Sequence, residues 1–215
     1  MHKVIVIIGA GNGISKSVAE KFGSEHFSVC LIARKKDKLE KITEELKEKG
    51  IDAHFFVADA GDSDTMKDAF DQIWEKFDFI DVLHYNVAKF KQVDIINETS
   101  DSLTRDFKIN VGGMMTALKL VLPDMEKKSS GTVLVTGGGF ALQPMPEYGS
   151  LAIGKAGLRN LSQSLHISLK NKNIFLGTVT VCGFVSKESE QRSPLMIADR
   201  FWQLYTERSD WEIQL

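Results

Sequence analysis

The sequence predicts an α/β protein built on a doubly wound parallel sheet of six or so strands, with helices on both faces. Three observations carry that expectation. Short β-branched runs alternate with longer amphipathic stretches, the short runs are apolar on both sides of the pleat, and the order repeats about six times without a linker or low-complexity break. With 215 residues, 43% hydrophobic and 26% charged, the chain can bury one sizeable core and is short for two ordinary domains, so residues 1–215 are expected to form a single domain.

The strands are expected at Val4–Ile8, Val29–Ala33, His54–Ala58, Val82–Val87, Thr132–Thr136 and Leu176–Cys182. Between them one helical face carries Ile14, Val18 and Phe22, the next Leu39, Ile42 and Leu46, and the third Met66, Phe70, Ile73 and Phe77. Two longer helices follow: Leu103 to Met125, with Phe107, Val111, Met114 and Leu118 inward, and Gly149 to Lys170, with Leu158, Leu161, Leu165 and Leu169 inward. In such a sheet the ligand crevice lies beyond the carboxyl ends of the strands. After Cys182 the periodicity fades. A polar stretch, Ser186 to Pro194, leads to a tail holding Phe201, Trp202, Leu204, Tyr205 and Trp211, and residues 184–215 read as a lid or packing arm over the crevice rather than a seventh strand.

Lys and Arg number 27 against 29 Asp and Glu, for a net charge of -2, so no basic field points to nucleic acid or an anionic membrane; the expected partner is a small-molecule substrate. The apolar start runs into Gly9-Ala10-Gly11 without a basic n-region or a cleavage site, and no apolar run approaches ~18 residues. A soluble, cytoplasmic protein is expected. Cys30 and Cys182 lie inside apolar runs and read as reduced core thiols, with neither a disulfide framework nor a metal site.

The first strand ends in Gly9-Ala10-Gly11-Asn12-Gly13-Ile14-Ser15, which opens the first helix. Strand, glycine turn and helix come in the order a pyrophosphate site needs: glycines let the backbone approach the phosphates, and free N–H groups at the helix start favour an anion. A plain tight turn uses glycine too. At the end of the second strand, where an NAD site usually places a carboxylate for the ribose, stand Arg34, Lys35 and Lys36. The planar Arg34 fork suits a 2′-phosphate, so NADP(H) is preferred with NAD(H) possible, against the alternative of a solvated basic start to the helix Asp37–Lys49.

Gly9, Gly13 and Ser15 fit the Gly-x-x-x-Gly-x-Gly loop of the short-chain dehydrogenases, with serine at the last place. The chain resembles that family over nearly its whole length, and the resemblance implies a Rossmann-type fold. Asp59 looks like the family's adenine-contacting Asp, and Tyr85-Asn86-Val87-Ala88 sits where Asn-Asn-Ala-Gly is usual. Asn110 takes the place of its helix asparagine, Lys155 that of its active-site lysine, and Cys182-Gly183 that of the Pro-Gly before the nicotinamide loop, which would bring Val185 to the cofactor. The resemblance also implies a homo-oligomer, dimer or tetramer, through the long helices.

The family's catalytic pattern fails. Hydride-transferring members show Tyr-x-x-x-Lys with a Ser some thirteen positions before the Tyr, and the Lys lowers the pKa of a phenol that ordinarily sits near ~10. Here the position four before Lys155 is Leu151, and the expected serine is Gly138. Tyr148, seven residues before Lys155, is the best available replacement on the same helical face, but an ideal helix separates the two by ~10.5 Å. Pairing requires the helix to begin after Tyr148 and the loop Gln143–Glu147 to fold back; otherwise Tyr148 packs or walls the substrate. His84, Tyr85 and Thr136, at carboxyl ends of strands, are other donors, though His84 also reads as a satisfied strand residue and Tyr85 as pocket wall. Lys155 would anchor the nicotinamide ribose and Asn110 would hold a helix kink and a water, as the resemblance implies; surface or capping roles are the alternatives. Leu151, Met145 and the tail aromatics point to an apolar pocket. The expected function is an NADP(H)-dependent oxidoreductase acting at an apolar carbonyl-like substrate; the competing one is a catalytically inactive dinucleotide-binding sensor or scaffold.

Overall fold

A computed structural model describes residues 2–215. Its strands are β1 (Lys3–Ile8), β2 (Phe27–Ala33), β3 (Ala53–Val57), β4 (Val82–Tyr85), β5 (Gly131–Gly138), β6 (Ile174–Val181) and β7 (Glu212–Gln214). The helices are α1 (Ile14–Ser24), α2 (Lys36–Glu48), α3 (Ser63–Trp74), α4 (Ser100–Phe107), α5 (Gly113–Lys128), α6 (Gly149–Lys170) and α7 (Pro194–Glu207). The sheet order is β3-β2-β1-β4-β5-β6-β7 and every neighbouring pair is parallel.

The double-sided apolarity of the strands explains the layers. Along β1, Val4, Val6 and Ile8 face one core with Met66, Phe70 and Ile73 of α3, Met114, Leu118 and Val121 of α5, and Leu158 of α6. The alternate residues Ile5 and Ile7 face the other, with Val18 and Phe22 of α1, Leu39, Ile42 and Leu46 of α2, and Ile197, Phe201 and Leu204 of α7. Each buried side chain of this kind contributes about 1.5–3 kcal/mol of transfer free energy, so a one-residue slip of any inner strand would exchange its two apolar sets between different helix layers.

The chain order reverses between β1 and β4, which opens the crevice at their carboxyl ends. There β4 stops at Tyr85, short of the expected Val87, because Asn86 turns aside: its N–H donates to Ile8 O at 2.8 Å and its Nδ2 to Gly9 O at 3.1 Å.

Three expectations need correction. The sheet has seven strands, and Glu212–Gln214 is the seventh, paired with Thr178–Thr180. Three half-polar residues are too few for a period-2 signal, and this strand is fixed by Arg159 of α6, whose Nε and Nη2 donate to both carboxylate oxygens of Glu212 at 2.8 and 2.7 Å. The tail aromatics do not cover the crevice: Trp202 and Tyr205 stack edge-on against Phe22 at 5.1 and 5.5 Å, so α7 packs on α1 in the outer helix layer and is no lid. The expected Leu103–Met125 helix is broken by a wider π turn at Lys108–Gly112. Two interactions hold that turn: Asn110 Oδ1 accepts Lys89 N–H at 2.7 Å, and Gly113 sits where a Cβ would come 2.3 Å from Ala60 O and 2.5 Å from the Tyr85 hydroxyl.

Candidate active site

The glycine loop is shaped by its neighbours. Gly9 has φ +86°, and a Cβ on it would lie 2.9 Å from the Asn86 backbone, so glycine is required for both conformation and space. Ser15, at the third motif place, is buried and folds back on the loop: its Oγ accepts Gly11 N–H at 2.8 Å and donates to Gly11 O at 3.1 Å. Gly11 and Gly13 face open space. No side chain caps α1, so its N-terminal end is left for an external acceptor beside Asn12, Gly13 and Ile14.

Next to this loop is a cavity of about 360 Å³ whose lining includes Arg34, Lys35, Lys38, Asp59, Asn86 and Ala88. Arg34 Nη1 lies 3.7 Å from Asp59 Oδ2, but the two side chains are 60% and 38% exposed, and such a pair contributes under about 1 kcal/mol. The guanidinium is thus free to turn to a stronger acceptor. Asp59 is itself held, its Oδ1 accepting Gly61 N–H at 2.9 Å. Of the two lysines weighed beside Arg34, Lys35 lines the cavity while Lys36 turns to Glu40 at 3.5 Å. Sequence reasoning missed Lys38, which lies in the first turn of α2, four positions after Arg34.

The other half of the crevice lies beyond β4, β5 and β6. Lys155 is buried and its Nζ donates to Thr136 O at 2.8 Å. Burial pushes its pKa down to about 8. Thr136 Oγ1 pairs with His84 Nε2 at 3.0 Å, whose ring lies against Phe201 at 4.6 Å, and burial pushes His84 down to about 3, so it is neutral. Tyr85 donates its hydroxyl to Ile109 O at 2.5 Å, and burial raises its pKa. Asn110 is fully buried, with its Nδ2 unpartnered against Gly154 of α6.

Tyr148 meets both conditions for approach: α6 begins after it, and the preceding loop folds back, with Val93 and Ile95 N–H groups donating to Glu147 and Pro146 carbonyls at 2.9 Å. Yet it does not pair with Lys155, which bonds Thr136 instead. Its ring is stacked on Phe140 at 5.3 Å and packed on Phe90 at 5.2 Å. These two phenylalanines were not singled out from the sequence, although both follow closely on strand ends. Leu151 is 4% exposed, and Gly138 opens on Lys155, whose Cγ, Cδ and Cε would lie 3.4–3.5 Å from a Cβ there. Gly183, at φ +137°, turns the chain after β6, leaving Phe184 89% exposed with Val185 beside it. Cys30 is buried on β2 and Cys182 is a free thiol at the end of β6.

Phosphate-type loop, switch-point crevice and buried lysine at one end of a parallel sheet together define a Rossmann-type α/β protein of the dinucleotide-crevice class. The short chain dehydrogenase family matches residues 3–194, and the chain belongs to it. Its relatives include a very-long-chain 3-oxoacyl-CoA reductase of Anas platyrhynchos, 28% identical over 88% of this chain and 62% of that protein. A 17-beta-hydroxysteroid dehydrogenase type 3 of Danio rerio is 29% identical over 92% of this chain and 66% of its own length. The chain therefore spans somewhat under two thirds of these two curated relatives. Among solved structures, an alcohol dehydrogenase from the archaeon Thermococcus sibiricus, complexed with 5-hydroxy-NADP, superposes with a TM-score of 0.86 at 21% identity, covering 99% of this chain and 95% of that one.

Proposed function

We propose that this protein is an NADP(H)-dependent oxidoreductase acting on an apolar carbonyl-like substrate. The observation that carries it is the Arg34, Lys35 and Lys38 cluster in the cavity beside an uncapped glycine loop, with a buried lysine, Lys155, held on Thr136 O of β5. The donor set fits the cofactor. Open space at Gly11 and Gly13 leaves a cradle that a Cβ would fill, the α1 amides suit a pyrophosphate, and three cations with no carboxylate at the end of β2 suit a 2′-phosphate. NAD(H) would occupy the same cradle with less support. When bound, the nicotinamide supplies a hydride to a carbonyl carbon.

The chain's own residues do the rest. Asn86 pins the loop to the end of β4. Lys155 anchors the nicotinamide ribose, and Asn110 keeps the π turn against α6, its free Nδ2 suited to a water. Asp59 and Ala88 bound the adenosine side, and Gly183 and Val185 the nicotinamide side. Tyr148, Phe90 and Phe140 form an aromatic wall for the substrate, with Leu151 behind it. The curated relatives' names, a 3-oxoacyl-CoA reductase and a hydroxysteroid dehydrogenase, agree with a lipophilic carbonyl. Exposed Phe107 and Ile153 support a homo-oligomer, dimer or tetramer, through α4 and α6. Among the described residues no helix is long and apolar enough to cross a membrane, and we assign the protein to the cytoplasm.

Leu151 and Gly138 favour one second reading, a dinucleotide-binding protein without turnover. Fluorescence titration with NADPH and NADH, on wild type and Arg34→Ala, tests the cofactor. NADPH affinity should fall about tenfold to a hundredfold in the variant, toward the NADH value, as expected for one charge-assisted contact. Binding of neither cofactor would overturn the proposal, and tight NADPH binding with no turnover on a broad carbonyl panel would select the second reading.

A further inference from the structure

We propose that the Lys155 ammonium is the acid that protonates the substrate oxygen, in place of the phenol that Leu151 lacks. This rests on the oxidoreductase reading above. The ionisable groups at the carboxyl ends of β4 to β6 leave few candidates. His84 is closed off behind Phe201 and paired to Thr136. Tyr85 has its proton committed to the Ile109 carbonyl at 2.5 Å. Tyr148 stands between Phe90 and Phe140 and does not pair with Lys155, which bonds Thr136 O instead. Lys155 differs from all three. Its stem runs along Gly138, the position where the family's carbonyl-orienting serine would stand, and its ammonium meets only a neutral acceptor, Thr136 O at 2.8 Å.

Two absences beside the lysine bear on what its ammonium can reach. Position 138 carries no hydroxyl and position 151 no phenol, and the proposed place of the carbonyl is over Gly138, along which the Lys155 stem runs. The Thr136 carbonyl of β5 accepts a hydrogen bond from its ammonium and Gly138 lies along its stem; Asp106 of α4 is engaged with Ser150 Oγ at 2.8 Å, and the Lys89 N–H with Asn110. Among the described residues no carboxylate lies within ion-pair distance of Lys155, so nothing holds its third proton in place. Burial alone brings its pKa down to about 8, which favours proton release in a way an exposed lysine does not.

The step balances. As hydride adds to the carbonyl carbon, the C=O π pair moves to oxygen, one N–H bond of Lys155 breaks and an O–H bond forms; the carbonyl is reduced to an alcohol, NADPH is oxidised to NADP+, and the neutral amine regains its proton from water.

The test combines turnover of benzaldehyde and decanal at saturating NADPH with a direct NMR titration of the 15N-labelled Lys155 Nζ, which needs no turnover. The acid must be protonated, so kcat should be level below the lysine's pKa and fall tenfold per pH unit above it, and the NMR midpoint should coincide with that break. Lys155→Arg keeps the charge but cannot release a proton near neutrality. It should still quench NADPH fluorescence while losing at least about a hundredfold in kcat, as expected for a lost general acid. Tyr148→Phe should raise KM through the aromatic wall and keep the pH break. A break that vanishes in Tyr148→Phe, an Nζ midpoint above pH 10, or an active Lys155→Arg would overturn the proposal and leave the oxidoreductase reading standing. Failure of the wild type to turn over any member of a broad carbonyl panel, these two aldehydes included, with NADPH bound would remove both.

Discussion

The two ends of the crevice are built from different materials. At the β1–β3 end the site is made of backbone: glycines at 9, 11 and 13, free amides of α1, and a turn stapled by Ser15 and Asn86, with only the Arg34, Lys35 and Lys38 side chains added. At the β4–β6 end it is made of side chains: Lys155, Thr136, His84, Asn110 and an aromatic wall. A backbone site tolerates a serine in place of a glycine, because Ser15 turns its hydroxyl inward and satisfies the loop. A side-chain site that loses a tyrosine and a serine must either change its chemistry or stop. The difference teaches where this chain departs from the family's pattern: the glycine loop keeps its backbone requirements, while positions 138 and 151 at the other end carry no hydroxyl.

The sharpest way to break the comparison is to make the backbone half depend on a side chain. Gly9→Val would force a left-handed φ on a β-branched residue and drive its Cβ to 2.9 Å from the Asn86 carbonyl group. Strain of this kind costs of order 1–3 kcal/mol before any clash is counted. NADPH affinity should fall more than about a hundredfold, with urea unfolding showing a loss of at least ~2 kcal/mol. A variant that binds normally would show that the loop's glycines serve packing and not the cofactor.

A second change sharpens the other side. Arg159 stands one turn beyond Lys155 on α6 and forks onto Glu212 of β7, whose side chain is 7% exposed and also accepts the Thr180 hydroxyl at 2.6 Å. Glu212→Gln removes the charge and leaves the guanidinium, itself 30% exposed, half-paired. The expected cost is about 2 kcal/mol in urea unfolding, below the 3–5 kcal/mol of a fully buried pair. Turnover should drop more than NADPH affinity, since α6 carries Lys155 but not the glycine loop. Equal losses in both would mean that the two ends are coupled through the sheet.

What the sequence disclosed follows the same division. The six long strands and the two-sided layers were legible because parallel strands buried on both faces read as unbroken apolar runs, and the glycine loop because its demands fall on consecutive residues. The seventh strand was not, because three residues have no periodicity and their anchor, Arg159, is 53 positions away. The tail aromatics at 201, 202 and 205 announced burial but not their partners, and only the fold places Trp202 and Tyr205 on Phe22 and Phe201 on His84. At the reacting end, spacing found Lys155 and the losses at 151 and 138. That Lys155 meets a carbonyl and no carboxylate is a tertiary fact, as is the pairing of His84 with Thr136, 52 residues apart.

That pairing gives the smallest effect and the most specific. His84 is buried with Nδ1 unpartnered, and its pKa falls from an ordinary 6.5 to about 3 in the fold through loss of solvation. Between those values the unfolded chain binds the proton and the folded one does not. Stability contributed by the neutral ring is therefore complete above pH 6.5 and is lost as pH falls, at up to about 1.4 kcal/mol per unit, until the folded group itself titrates near 3. Between pH 6.5 and 5, before most carboxylates respond, wild type should lose about 1–2 kcal/mol more than His84→Gln in urea unfolding. Parallel curves would mean that water reaches the ring from the crevice side, past Thr136. In that event the space around Lys155 is wetter than its burial implies, and the ammonium's readiness to give up a proton would have to come from something other than desolvation.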